Sequence, residues 1–223
     1  MTAIYEEHVE WAVVGRLRLL LEQPPHEQFN VTQSFALFAP VLCWVMQRIR
    51  KPLAKSPSPI DESAQKLYQQ LSTQRIAEQP WNIYTRPVPR IDQFDGRSVE
   101  IPAPINFDSH SAFRFLKNLR DSVAHGDSRN VKPFHFPASR GSERVLAGFT
   151  FSCEEFDDGR NKPATWNGSV TLLEGELRAT GVTLARMYCR ALRGASAFVD
   201  DSFFGQNAAK GTVEIRAPMA NAS

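Results

Sequence analysis

Arg120, Asp121 and His125 fall within one short segment, Arg120-Asp121-Ser122-Val123-Ala124-His125. The apolar spacing around it predicts a helix from about Ser109 to His125, with Gly126 as a ready C-terminal stop. Asp121 and His125 are four apart, so they share a face, and the carboxylate is expected to orient or charge the imidazole. Arg120 sits five residues before His125, which places it about 140° further round the helix. Both groups converge on one ligand if His125 bends inward at the helix end. They converge more easily if two such helices meet across a two-fold axis and each supplies half a pocket. A histidine moves protons near pH 7, and an arginine fork holds phosphate and its developing charge. This inventory suits phosphodiester cleavage without a metal. The competing reading is a solvated helix end, where a cation and a histidine complement the helix dipole and cap carbonyls.

Weaker candidates follow the segment. Arg129, Lys132, His135 and Arg140 could guide RNA phosphates, although exposed basic residues more often make a solvated loop. Phe134 and Phe136 flank His135 and invite base stacking, but in a proline-bounded stretch they are expected to anchor a loop to the core. Trp81 and Tyr84 are read the same way. Asp157-Asp158-Gly159 is a turn, since it lacks the further carboxylates of a calcium loop. There is no Gly-rich phosphate loop, no Gly-x-Ser-x-Gly elbow and no paired metal-binding motif.

The elements that must position Arg120 and His125 are mainly helices. Ile4, Val9, Val13, Leu17, Leu20 and Leu21 recur at helical spacing and predict a first helix over 4–21, stopped by Pro24-Pro25. A second helix runs from about Thr32, a plausible N-cap, to Arg50, with Pro40 as a kink. Its apolar run, Phe35 to Met46, is too short to cross a bilayer and reads as a buried core helix. Lys51 to Pro59 reads as an exposed loop, after which Asp61 caps a third helix from Glu62 to about Ala77, with Ala64, Leu67 and Leu71 inward. Between Gln79 and Pro104 five prolines rule out a long helix and leave a meandering connection or short extended pieces. The fourth helix turns Ala112, Phe115, Leu116, Leu119 and Val123 inward. Alternation in 144–156 and a second apolar run at Trp166, Val170 and Leu172 predict a hairpin, or part of a small sheet, at about 144–173. A last long helix spans about Glu174 to Leu192 and ends at Gly194, and the small-residue tail 194–223 is expected to be loose apart from a short strand at Thr212 to Ile215.

Composition bounds the function. The chain has 223 residues, enough for one core with an appended arm, and an apolar content of 42% that is far from the signature of disorder. A formal charge of +2 means that any nucleic acid must be held by a local patch rather than by bulk charge. Cys43, Cys153 and Cys189 lie far apart without zinc-like spacing, which fits buried free thiols in a reducing compartment. Glu6, Glu7 and Glu10 near the start are the opposite of a basic signal-peptide opening, so the expected location is the cytoplasm, with no membrane partner, and the sequons at Asn30 and Asn167 are chance matches.

Phe115-Leu116-Lys117-Asn118-Leu119-Arg120-Asp121-Ser122-Val123-Ala124-His125-Gly126 resembles the signature helix of the HEPN superfamily, the nucleotide-binding domains of higher eukaryotes and prokaryotes. That family's motif is Arg, usually followed by Asn, Asp or His, then three to five residues, then His. The continuation through Asp127 to Asn130, a hairpin, and the helix around Tyr188 to Leu192 is similar to plasmid-borne and chromosomal bacterial members. The resemblance implies a mainly α fold, α+β by strict count: a HEPN-like helical bundle over residues 1–193 with the hairpin inserted before the last long helix. It also implies a homodimer whose motif helices face a shared cleft. Active members are metal-independent endoribonucleases, often toxins or antiviral effectors, in which the ribose 2′-hydroxyl attacks the adjacent phosphate. Carried over, His125 would be the general acid/base, Arg120 the phosphate clamp and Asp121 the orienting residue, with RNA as partner and no cofactor. An antitoxin or nucleotidyltransferase partner would fit the same family. Some members are catalytically silent nucleotide-binding or assembly modules, and that alternative stands beside the enzyme.

Overall fold

The computed structural model describes residues 4, 8–79, 81, 83, 89–104, 107, 110–137, 144–155 and 166–194. The expected tail strand, the Asp157-Asp158-Gly159 turn, Tyr84 and Arg140 lie outside the described residues. Within them are five α-helices and two small antiparallel sheets, a mixed α+β fold.

The centre is α2 (Asn30–Ile49), where Phe38, Val41, Leu42, Val45 and Met46 are fully buried. Burial of each such side chain contributes roughly 1.5–3 kcal/mol. Pro40 removes one backbone donor, yet the helix runs on through it, because Pro40 is exposed and water can take the freed carbonyl. The helix begins two residues before Thr32, and Phe29 at its N-cap offers no side-chain hydrogen bond. Helix α5 (Glu174–Arg193) packs against α2 and α1 (Val9–Glu22). The buried face of α1 differs from the expected stripe. Trp11, Ala12, Val14, Gly15 and Leu21 are inside, whereas Val9 and Leu20 are exposed. A close helix pair favours small residues, and Ala12 and Gly15 carry little weight in a count of large apolar side chains.

Helix α3 (Pro59–Thr73) starts earlier than Glu62. Ser58 is its N-cap and Asp61 is the return arm of a capping box: the Asp61 N–H donates to Ser58 Oγ at 3.2 Å, and the Ser58 N–H donates to Asp61 Oδ2 at 2.9 Å. Ala64, Leu67 and Leu71 are buried as their spacing predicts. The proline-rich connection includes short extended pieces, one of its two expected forms. After a 3-10 turn at Ile76–Glu78, strands β1 (Arg90–Phe94) and β2 (Arg97–Ile101) form a hairpin across Asp95-Gly96, both with positive φ (50° and 70°). Such a turn matches the twist of the two strands. The Arg90 guanidinium pairs with Glu176 and ties this hairpin to the start of α5.

Helix α4 (Ala112–His125) is the motif helix. Ser111 caps it, its Oγ accepting the Arg114 N–H at 3.2 Å, and Phe115, Leu116 and Leu119 are buried with Val123 half-buried against them. Gly126 ends it in the left-handed conformation (φ 58°), where a side chain would be strained. The expected hairpin is β4 (Val145–Glu155) with β5 (Trp166–Leu173). It gains a third strand, β3 (Val131–Phe136), along the free edge of β4. Pro133 is tolerated there because an edge strand leaves half its donors unpaired. The Ser122 hydroxyl lies 2.8 Å from the Ser152 carbonyl and fastens the sheet to the back of α4.

Candidate functional site at the C-terminal end of α4

Arg120 projects from the last turns of α4 toward the end of α2. Its Nη1 lies 2.7 Å from Asp121 Oδ1, and its Nη2 donates to Gln47 Oε1 at 3.1 Å. Asp121 is shared with Lys117, whose ammonium lies 3.2 Å from Oδ2. The carboxylate therefore spends both oxygens on Arg120 and Lys117, and the expected orientation of His125 by Asp121 is not made. Lys117 wins that contact because it is also four residues from Asp121, on the other side, and brings a full charge. Cys43, one turn before Gln47 on α2, lies close enough to feel the site. Burial pushes its thiol up, with Arg120 pulling it down and Asp121 pushing it up.

Arg120 opens onto a cleft of about 810 Å³ between α1, α2 and α4. Trp44, Gln47 and Arg48 line it from the C-terminal half of α2, Arg50 and Lys51 from the residues just after that helix, and Glu10 closes the α1 side. Arg48 is fixed from two sides: its Nε lies 2.5 Å from Glu10 Oε2 and its Nη2 lies 2.8 Å from Asp61 Oδ1. The Trp44 indole N–H donates to the Glu10 carbonyl at 3.1 Å. Arg50 and Lys51 are exposed at the rim, and their side chains make no hydrogen bond or ion pair with the described residues. Behind the cleft Tyr188 is fully buried, and burial pushes its phenol well above the ordinary range, so it stays protonated.

His125 is the last residue of α4 and is exposed. Its side chain makes no hydrogen bond or ion pair with the described residues, and it does not line the Arg120 cleft. A single copy thus brings Arg120 and Asp121 together and leaves His125 apart. The basic residues after the motif are no closer to a site. Arg129 folds back on Asp127, its Nη2 2.7 Å from Oδ2, and Asp127 Oδ1 accepts the Arg129 and Asn130 N–H groups. Lys132 and His135 are exposed on β3, the edge strand of the sheet. Phe136 stacks on Phe94 of the β1–β2 hairpin at 4.5 Å, so it joins the two sheets rather than offering a free platform.

No family model, no curated protein and no solved structure matches this chain. The site is therefore argued from its own geometry. Gln47, Arg48, Arg50 and Lys51 complete it and were not anticipated. The run Arg48-Ile49-Arg50-Lys51 reads in sequence as the end of one helix and the start of a loop, and only the packing of α4 on α2 makes it a wall of the Arg120 cleft. Among the described residues no group of three or more His, Cys, Asp or Glu side chains is placed to hold a metal ion. No helix among them is long and apolar enough to cross a membrane.

Proposed function

We propose that this chain is a HEPN-type, metal-independent endoribonuclease acting on single-stranded RNA as a homodimer. The observation that carries the reading is the cleft at the motif end of α4, where Arg120 meets Arg48, Arg50 and Lys51 in an open space of about 810 Å³. That space and its charge suit a phosphodiester with its flanking ribose. In the reaction the 2′-oxygen forms a bond to the adjacent phosphorus, the bond to the 5′-oxygen breaks, and a cyclic phosphate end remains. His125 relays the proton from the 2′-hydroxyl or to the departing oxygen. Arg120 neutralises the charge that builds on the non-bridging oxygens. Its pairing with Asp121 does not obstruct this. The two side chains are 24% and 20% exposed, a partly exposed pair is worth at most about 1 kcal/mol, and phosphate can displace the carboxylate. The separation of His125 from the cleft is met by a second copy, whose motif helix brings the missing group across a two-fold axis.

A second reading is favoured by the same separation. If no second copy completes the site, Arg120, held by Asp121 and Gln47, belongs to a silent RNA- or nucleotide-binding or assembly module. The deciding experiment compares wild type, His125→Ala and Arg120→Ala on a labelled single-stranded RNA pool with EDTA present. The enzyme reading expects cleavage by wild type alone, leaving cyclic phosphate ends. Equal cleavage by all three, or by none, sinks it.

A further inference from the structure

A second cationic surface lies on the far side of α1, along the C-terminal part of α5. Arg186, Arg190 and Arg193 are spaced i, i+4, i+7 and share one helix face. Two shallow grooves flank that face, of about 600 Å³ on the α1 side and about 450 Å³ on the α3 side, and Arg190 borders both. Arg18 from α1 lines the first and Lys66 from α3 lines the second. Glu22 pairs with two of these cations, 3.6 Å from Arg18 and 2.7 Å from Arg186. Arg193 sits over the Trp11 ring at 5.9 Å. Arg190 is exposed, and its side chain makes no hydrogen bond or ion pair with the described residues.

The helix dipole accounts for Arg190 and Arg193, which fall in the last turn of α5. It does not account for Arg186, a turn or more earlier, nor for Arg18 and Lys66, which come from other helices. We propose that this ridge is a phosphate track for a single-stranded polynucleotide. Four helical residues rise about 6 Å, close to the separation of successive phosphates along an extended strand, so neighbouring guanidinium forks can take neighbouring phosphates. The groove floors are Gly15 and Cys189 on one side and Leu67, Met187 and Ala191 on the other, apolar surface suited to ribose and base faces. Burial pushes the Cys189 thiol up to about 11, so the floor adds no negative charge. An acidic protein partner would need carboxylates matched to two grooves on either side of one ridge, whereas a flexible strand needs only its backbone. The track stands independently of cleavage at His125.

The test uses the full chain carrying His125→Ala, so that bound RNA survives, and fluorescence anisotropy with a labelled oligo(U) 12-mer at several salt concentrations. Arg186→Gln with Arg190→Gln removes two exposed cations. Binding should weaken about tenfold at 0.1 M salt, and the slope of log affinity against log salt should shrink by about 1.4. Lys55→Gln with Arg97→Gln, a charge-matched pair exposed elsewhere, should leave both quantities near wild type. Circular dichroism melting checks that each variant is folded. Unchanged affinity and slope in the ridge variant overturn the track, as does an equal loss in the control pair. Displacement of the oligonucleotide from the ridge by a poly-glutamate peptide at lower concentration than by unlabelled oligo(U) would also overturn it, in favour of a protein partner.

Discussion

The Arg120 cleft and the α5 ridge are both rich in cations, yet they treat them in opposite ways. In the cleft the inner guanidiniums are held by carboxylates, Arg120 by Asp121 and Arg48 by Glu10 and Asp61. On the ridge Glu22 is shared between Arg18 and Arg186, and the exposed Arg190 side chain has no partner among the described residues. A cation held in place ahead of its ligand loses little freedom when that ligand arrives, which suits positioned chemistry. A loosely held one suits binding that tolerates many sequences and fades with salt. The contrast teaches that the number of positive charges on a surface says less than what already neutralises them.

Substitutions in the two regions should separate them. Arg120→Ala should lower RNA cleavage by about 10²–10³-fold, the usual loss when one transition-state donor is removed, while urea unfolding changes by less than about 1 kcal/mol because its ion pair is partly exposed. Arg48→Met should behave in the reverse way. It strands Glu10 and Asp61 and should cost about 2 kcal/mol in urea unfolding, a value reduced because both carboxylates reach solvent. Arg190→Gln on the ridge should change stability by no more than about 0.5 kcal/mol, and a loss as large as that of Arg48→Met would erase the distinction. Gly126→Ala should cost about 1 kcal/mol by forcing a side chain into the left-handed region, and it should also perturb His125, the neighbouring residue.

A further effect is on pH. Hydrogen bonds from the Ser58 backbone and hydroxyl, with Arg48 adding to them, hold Asp61 down to about 2 from an ordinary 3.8. A carboxyl with a lowered pKa in the folded state stabilises it while ionised. That contribution is full above about pH 4 and is lost as pH falls toward 2. Asp61→Asn should therefore flatten the acid side of the stability profile in that window. Identical acid limbs for wild type and variant would remove Asp61 from the account.

Much of the fold is legible in the chain because strong local signals agree with the packing. The apolar run from Phe35 to Met46 is the core helix, Gly126 stops α4, and α5 starts at Glu174 as its pattern predicts. The misses share a cause, which is that the deciding partner lies far along the chain. The β3 strand is half polar and carries Pro133, and it is a strand only because β4 presents an open edge. The α1 face is set by α5, which comes more than 150 residues later. At the site, the spacing of Arg120, Asp121 and His125 places them correctly on one helix end. It does not foretell that Lys117 and Arg120 would take both oxygens of Asp121, nor that the end of α2 and the residues after it would supply Gln47, Arg48, Arg50 and Lys51.

In the proposed function a single copy holds an incomplete site and a second copy completes it. Arg120→Ala and His125→Ala proteins, each inactive alone, should be mixed, allowed to exchange subunits and assayed on single-stranded RNA with EDTA present. If Arg120 of one copy works with His125 of the other, half of the exchanged dimers are mixed and each of these carries one intact site. Cleavage should then return to about a quarter of the wild-type rate. No recovery, with subunit exchange verified by a tagged copy, would contradict the shared site.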